Sequence, residues 1–418
     1  MNSSVIYPRF AWFKLQDALA DTPAVLIHGA RQCGKTTLAR LAGDDYAYFS
    51  FDDENILAAA KRDPVGFVER LPQRVVLDEV QRIPELFATL KYAIDRDRKP
   101  GRFLLTGSAN LMLLPQLSDS LAGRIEVLQL FPLAQCELAG RQATFLQQMF
   151  GTAKLATSPS RRLGNELIER IVNGGFPEPL RRATESRRRV WYRNYIDTLI
   201  QRDIRDIAKI SSLEAIPKLL QMIANHSGQL VNMSELAKAF QLSRPTVEHY
   251  VALLRQIFLV EFLQPWFGNQ NKRLIKTPKV HLMDTGLATA VLKLNAQKLQ
   301  RNHSMLGHLL ESFVYAELRK QASWLNAEMA FYHYRDKDQY EVDIVMEDGD
   351  GRLLGIEVKA AATVTNRDFN GLRRLQRVAG KQFHRGVLLY DGEHFLPFGD
   401  GLYAVPVSRL WEAWSTAA

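Results

Sequence analysis

Five short runs in the first third of the chain are apolar nearly throughout instead of alternating with polar residues. They are AVLIH (Ala24–His28), YAYFSF (Tyr46–Phe51), RVVLD (Arg74–Asp78), RFLLT (Arg102–Thr106) and IEVLQL (Ile125–Leu130). Strands of this kind suit a parallel sheet covered by helices on both faces. The segments between them carry helical periodicity. The pattern predicts a doubly wound α/β domain ending at about residue 140.

Beyond it the pattern changes. Residues 150–225 read as helical and basic. In GQLVNMSELAKAFQLSRPTVEHYVALLRQIFLVEFLQPW (Gly228–Trp266), a helix MSELAKAF, a tight turn QLS and a second helix from RPTVEHY predict a helix-turn-helix. LVEFLQPW and KVHLMD read as wing strands. The last portion opens with an amphipathic helix, Met305–Gln321. It continues with strands AFYHYR, QYEVDIVM and RLLGIEVKA, a helix DFNGLRRLQRVAG and a strand RGVLLY.

Composition bounds the class. The 418 residues allow two or three domains, and 46% hydrophobic with 24% charged residues is ordinary for a globular chain. Neither the start of the chain nor any later segment reads as a signal peptide or membrane helix. Two cysteines, Cys33 and Cys136, exclude a disulfide framework and lead to an expectation of the cytoplasm. The formal charge of +9 favours an anionic partner such as nucleic acid. Residues 151–210 hold 13 Lys/Arg against 7 Asp/Glu, a local excess of 13 − 7 = +6. Within them Arg181–Tyr195 interleaves arginines with Trp191, Tyr192 and Tyr195. That run reads either as a solvated helix face or as a surface for phosphates.

The chemistry starts at GARQCGKT, between the first strand and a helix. Gly29, Ala30, Arg31, Gln32, Cys33, Gly34, Lys35 and Thr36 match the G-x-x-x-x-G-K-[ST] phosphate loop, with Thr37 following. Backbone N–H groups wrap a phosphate, Lys35 reaches the β- and γ-phosphates, and the Thr36 hydroxyl ligates Mg²⁺. Cys33 reads as a small filler or, less simply, a reactive thiol. About forty residues on, VVLDEVQ ends a strand in an acid pair. Asp78 is expected to hold Mg²⁺, and Glu79 to polarise the attacking water. In LLTGSAN, Ser108 or Asn110 is placed to sense the γ-phosphate or position the water. Arg124 enters the next strand as either a phosphate contact, in cis or in trans, or a surface ion pair. ATP and Mg²⁺ are thus the expected cofactors.

This motif set resembles the AAA-type branch of P-loop ATPases. The whole chain resembles prokaryotic two-part ATPases that join such a domain to a C-terminal domain of unknown function, number 4143. The resemblance runs through GARQCGKTTLAR, VVLDEVQRIPELF, LLTGSAN, LAGRIEVLQLFPL, NGGFPEP, YIDTLIQRDI, HLMDTGLA, GHLLESFVYAEL and EVDIV…GIEVKA. It implies a nucleotide-dependent, DNA-associated protein. The expected organisation is α/β: a P-loop AAA-type parallel-sheet domain at 1–140 and a basic helical lid or linker at 150–225. A winged-helix-like domain at 226–300 and an α/β nuclease-like domain at 301–418 follow.

The last assignment rests on acids. Residues two apart on a strand share a face, so Glu341 and Asp343 point one way, as do Glu357 and Lys359 on the next strand. With Glu311 on the preceding helix they resemble the PD-(D/E)xK nuclease core, although Val342 stands where that motif has proline. In such a core Glu311, Asp343 and Glu357 hold Mg²⁺ and Lys359 orients water. Cutting and a non-cutting relic that only binds both remain open. So do DNA reading and a structural role for the helix-turn-helix, whose second helix offers Arg244, Thr246, His249 and Arg255. The expected function is ATP hydrolysis coupled to binding or remodelling of duplex or branched DNA, for example a four-way junction. The alternative is a nucleotide-driven switch or scaffold with protein partners. DNA is the expected partner and membrane is not; a homo-oligomer is compatible with the pattern.

Overall fold

The computed structural model describes residues 6–108, 123–152, 155, 158–205, 213–268 and 277–414. The chain forms two compact units, one made of Pro8–Leu133 with Arg255–Phe258, the other of Met1–Tyr7, Ala134–Leu254 and Leu259–Ala418.

The first unit is built on the apolar runs. β1 (Ala24–His28), β2 (Ala47–Ser50), β3 (Val75–Asp78), β4 (Phe103–Gly107) and β5 (Ile125–Gln129) form one sheet in the order β2-β3-β4-β1-β5. Every pairing is parallel. β1, β3 and β4 are buried along their whole length, as unbroken apolar runs require. Leu26, Phe51, Leu77, Phe87, Ile94, Phe103 and Leu105 share one core with the flanking helices. Parallel pairing brings the C-terminal ends of β1, β3 and β4 to one edge, where an open α/β sheet takes its ligands.

The second unit holds a nine-stranded sheet. Its strands are β6 (Gln229–Leu230), β7 (Val260–Pro265), β8 (Lys279–Leu282), β9 (Met329–Arg335), β10 (Glu341–Asp348), β11 (Leu353–Lys359), β12 (Phe383–Tyr390), β13 (Leu396–Pro397) and β14 (Leu402–Pro406). Their order is β13-β14-β12-β11-β10-β9-β7-β8-β6. The expected helix-turn-helix is present. Asn232 caps the helix Met233–Phe240, whose far end turns at Gln241 in a left-handed conformation. Ser243 then accepts from Thr246 N and starts the helix Arg244–Gln256. β7 and β8 form the expected wing.

The expected C-terminal order, helix His303–Ser323, three strands, helix Asn370–Ala379 and strand, is also found. β9, β10 and β11 pair antiparallel, and β12 joins β11 in parallel. One feature was not legible from the pattern. Gln264 and Pro265 of β7 pair in parallel with Tyr332 and His333 of β9, so a single sheet crosses the boundary expected at residue 300. Among the described residues no helix is long and apolar enough to cross a membrane.

Candidate functional site

The phosphate loop follows β1 directly. Gly29 lies so close to the chain after β5 that a Cβ there would stand 2.1 Å from the Leu130 carbonyl oxygen. Only glycine fits. Buried Cys33 donates its thiol to the same carbonyl at 3.4 Å, which is the filler role. Lys35 is buried, and its ammonium donates to the Gly29 and Ala30 carbonyls at 3.0 Å each. Its charge therefore stands inside the loop. Burial, then the Lys35 charge, pushes the His28 imidazole down to about 4, so it is neutral at physiological pH.

Beside the loop, hydroxyls converge on Asp78. Thr36 Oγ1 lies 3.3 Å from Asp78 Oδ1, and Tyr48 and Thr106 also donate to that carboxylate. A carboxylate next to the loop threonine is a hard oxygen donor pair of the kind Mg²⁺ takes, and Thr36 and Asp78 would hold that ion. Burial and the Asp78 carboxylate hold the Tyr48 phenol protonated, above its ordinary value.

Glu79 has a left-handed backbone, φ 61°, which a non-glycine residue adopts only under constraint. The constraints are visible. Its N–H donates to Thr106 Oγ1 at 3.2 Å. Its carboxylate accepts from Ser108 Oγ at 2.8 Å and from Gln81, and Gln81 Nε2 also donates to Ser108 at 2.8 Å. Ser108 thus meets the Glu79 carboxylate itself. Asn110 lies outside the described residues.

Arg124 is corrected as a phosphate contact for this loop. β5 runs parallel to β1, with Ala24 opposite Ile125 and His28 opposite Gln129. Arg124 therefore sits at the sheet edge away from the loop, about 16 Å distant along the strand at roughly 3.3 Å per residue. It forms a bidentate pair with Asp95, at 2.6 and 3.0 Å.

Three further residues contribute. Tyr48 and Thr106 bind Asp78, as above. Arg9 donates to the Cys33 carbonyl at 2.9 Å and the Phe131 carbonyl at 2.7 Å, bracing the loop against the chain after β5. Only the Thr106 position, at a strand end within LLTGSAN, offered a sequence signal.

The C-terminal acids do converge, with a lysine among them. Glu311, Glu341 and Asp343 surround the buried ammonium of Lys279, contributed by β8. A register shift between Val342 and Val345 bulges β10 at Asp343, whose Oδ2 accepts from Val358 N at 3.0 Å. Gly371 lets the last helix close over the group: a Cβ there would meet the Glu341 carbonyl oxygen at 1.9 Å. Lys359 turns away to Asp368 at 2.5 Å. Among the described residues no group of three His, Cys, Asp or Glu is arranged to hold a metal ion. Mg²⁺ was expected at Glu311, Asp343 and Glu357 with Lys359 beside it; Lys279 stands among these acids, and Lys359 is not beside them.

Residues 21–139 match the AAA domain, 164–298 a domain of unknown function (DUF8612) and 306–410 a domain of unknown function (DUF4143). The uncharacterized protein Rv2008c of Mycobacterium tuberculosis is 31% identical over 414 residues, covering 98% of this chain and 86% of that one. The chain belongs to the family that joins an AAA domain to a C-terminal DUF4143 domain. The uncharacterized protein MJ1544 of Methanocaldococcus jannaschii is 22% identical over 408 residues, covering 93% and 87%. Among solved structures, the Walker-type ATPase PABY2304 of Pyrococcus abyssi is 18% identical with a TM-score of 0.42, covering 69% of this chain and 96% of that one. An AAA domain with this loop and this acid pair supports nucleotide hydrolysis.

Two further motifs of this AAA–DUF4143 chain, NGGFPEP and HLMDTGLA, pack on one another. Buried Asp284 of HLMDTGLA accepts from Gly175 N at 2.7 Å and Gly286 N at 2.9 Å, and Tyr192 donates to it at 3.2 Å. NGGFPEP and Tyr192 of the basic helix Glu185–Thr198 therefore meet at one carboxylate. Burial raises that carboxylate above the ordinary aspartate value.

Proposed function

We propose that this protein hydrolyses ATP with Mg²⁺ and uses the cycle to bind or remodel DNA, duplex or branched. Lys35 and the loop amides would hold the phosphates, and Thr36 and Asp78 the metal. The observation that carries hydrolysis is the bracing of Glu79 by Ser108 and Gln81, which aims a carboxylate base where a water must be polarised.

The DNA half rests on the helix Arg244–Gln256, which exposes His249 and Arg244, the latter paired with Glu248 at 2.8 Å, within a helix-turn-helix and wing. Exposed Arg187 and Arg193 add charge and have no ion-pair partner among the described residues. One observation favours the switch with protein partners instead: Arg181 and Arg182 pair with Glu178, and Arg189 with Glu185, so much of the basic run is neutralised.

Fluorescence anisotropy against salt separates the two. Replacing Arg187, Arg193 and Arg244 by Ala should weaken binding to every DNA and reduce the salt slope by up to about three, near one per phosphate contact. Wild-type protein with no salt-dependent DNA binding would favour the switch.

A further inference from the structure

Lys279 is 1% exposed, and carboxylates reach its ammonium from two other elements. Glu311 Oε1 approaches to 2.9 Å from the helix His303–Ser323. Glu341 Oε1 and Asp343 Oδ1 approach to 2.8 and 3.2 Å from β10. An ammonium has three N–H donors, and three acids meet them. Glu357 adds a fourth acid through its interaction with Asp343. Burial opposes the lysine charge, but Glu311, Asp343 and Glu341 outweigh it and hold the group protonated.

Oxygen-rich carboxylate clusters are what hard divalent cations take as ligands. Here the cation is covalently attached. It arrives from β8, a wing strand that reaches these acids because β7 pairs with β9.

We propose that the carboxylate centre of the DUF4143 region is a cation site whose resident cation is Lys279, a tethered ammonium that takes the place of a divalent metal and fastens the wing to the C-terminal sheet. His281 and His333 are buried, and burial and the Lys279 charge hold both imidazoles neutral. Without Lys279 the acids keep one protein cation among the described residues, Arg335 at 3.9 Å from Glu341 Oε2, and the charge at Glu311 and Asp343 is left to a cation from solution. This reading does not depend on the ATPase or DNA assignments.

The test uses the full chain free of nucleotide, so that the phosphate loop contributes no metal site, with Mn²⁺ as probe. Wild-type protein should show no Mn²⁺ binding by calorimetry that Asp343→Asn removes, and no Mn²⁺-dependent change in thermal midpoint. Lys279→Ala should lower the midpoint by roughly 5–10 °C, the effect of removing one partner of a buried pair. It should also bind one Mn²⁺ that raises the midpoint again, and the double variant Lys279→Ala/Asp343→Asn should lose both effects. Should Lys279→Ala not fold, Lys279→Ala/Glu311→Gln removes one charge of each sign and is read the same way. A folded variant that takes up no Mn²⁺, or wild-type protein that binds it through Asp343, overturns the proposal.

Discussion

The Ser108 hydroxyl donates a 2.8 Å hydrogen bond to the Glu79 carboxylate, and the Gln81 amide bonds to both. A carboxylate that polarises water works only when it is aimed, and Glu79 depends on these contacts because its backbone is left-handed. Ser108→Ala should lower kcat about 10- to 100-fold, the range of a hydrogen bond to a charged group. KM for ATP should hold. Steady-state phosphate release measures both constants, and a shift confined to KM would make Ser108 a binding residue.

Arg9 spans two carbonyls, those of Cys33 and Phe131, with one planar guanidinium. Arg9→Ala should loosen the phosphate loop and raise KM for ATP by about tenfold, near the value of one such hydrogen bond. Arg9→Lys should recover only part of this, since an ammonium lacks the fork that reaches both carbonyls. Full recovery by lysine would reduce the contact to charge alone.

Arg124→Ala should leave ATP turnover unchanged in dilute protein, because the side chain pairs with Asp95 at the sheet edge away from the loop. A large loss of kcat that grows with protein concentration would point to a neighbouring copy's phosphate.

The acids around Lys279 make stability depend on pH. Burial, then Asp343, pushes the Glu311 carboxyl well above its ordinary value, and burial does the same to Glu357. Lys279, Glu341 and Asp343 face Glu311 directly, with His308 nearby. A carboxyl whose folded value is raised contributes fully below its unfolded value, about 4.3, and the contribution is lost as pH rises through the folded value. The buried histidines act in the opposite direction in both proteins, so the urea midpoint of wild-type protein relative to that of Glu311→Gln should decline upward from about pH 4. An identical slope in the variant would contradict the assignment.

How much of this was legible follows from distance along the chain. The loop and the Asp78–Glu79 pair are local patterns, and local spacing carried their chemistry. Arg9 and Tyr48 are single residues whose partners lie in other elements, so no spacing marks them. Lys279 is the clearest case. It is 32 residues from Glu311 and 64 from Asp343, in a four-residue strand that looks like plain core. That the clustered acids require a cation between them was legible. That the cation is a side chain became visible only through the β7–β9 pairing. Lys359 sits at the expected spacing from Glu357, yet Asp368, nine residues further on, captures it.

The central claim is that ATP turnover at this P-loop responds to DNA. The direct measurement is the phosphate-release rate of wild-type protein with no DNA, single-stranded DNA, duplex and a four-way junction, at low and high salt. Glu79→Gln, which should still bind nucleotide, serves as the blank. The account expects turnover to rise several-fold with duplex or junction at low salt, to fall back as salt screens the phosphates, and to vanish in Glu79→Gln. A wild-type rate that is the same with every DNA and at every salt concentration would contradict it.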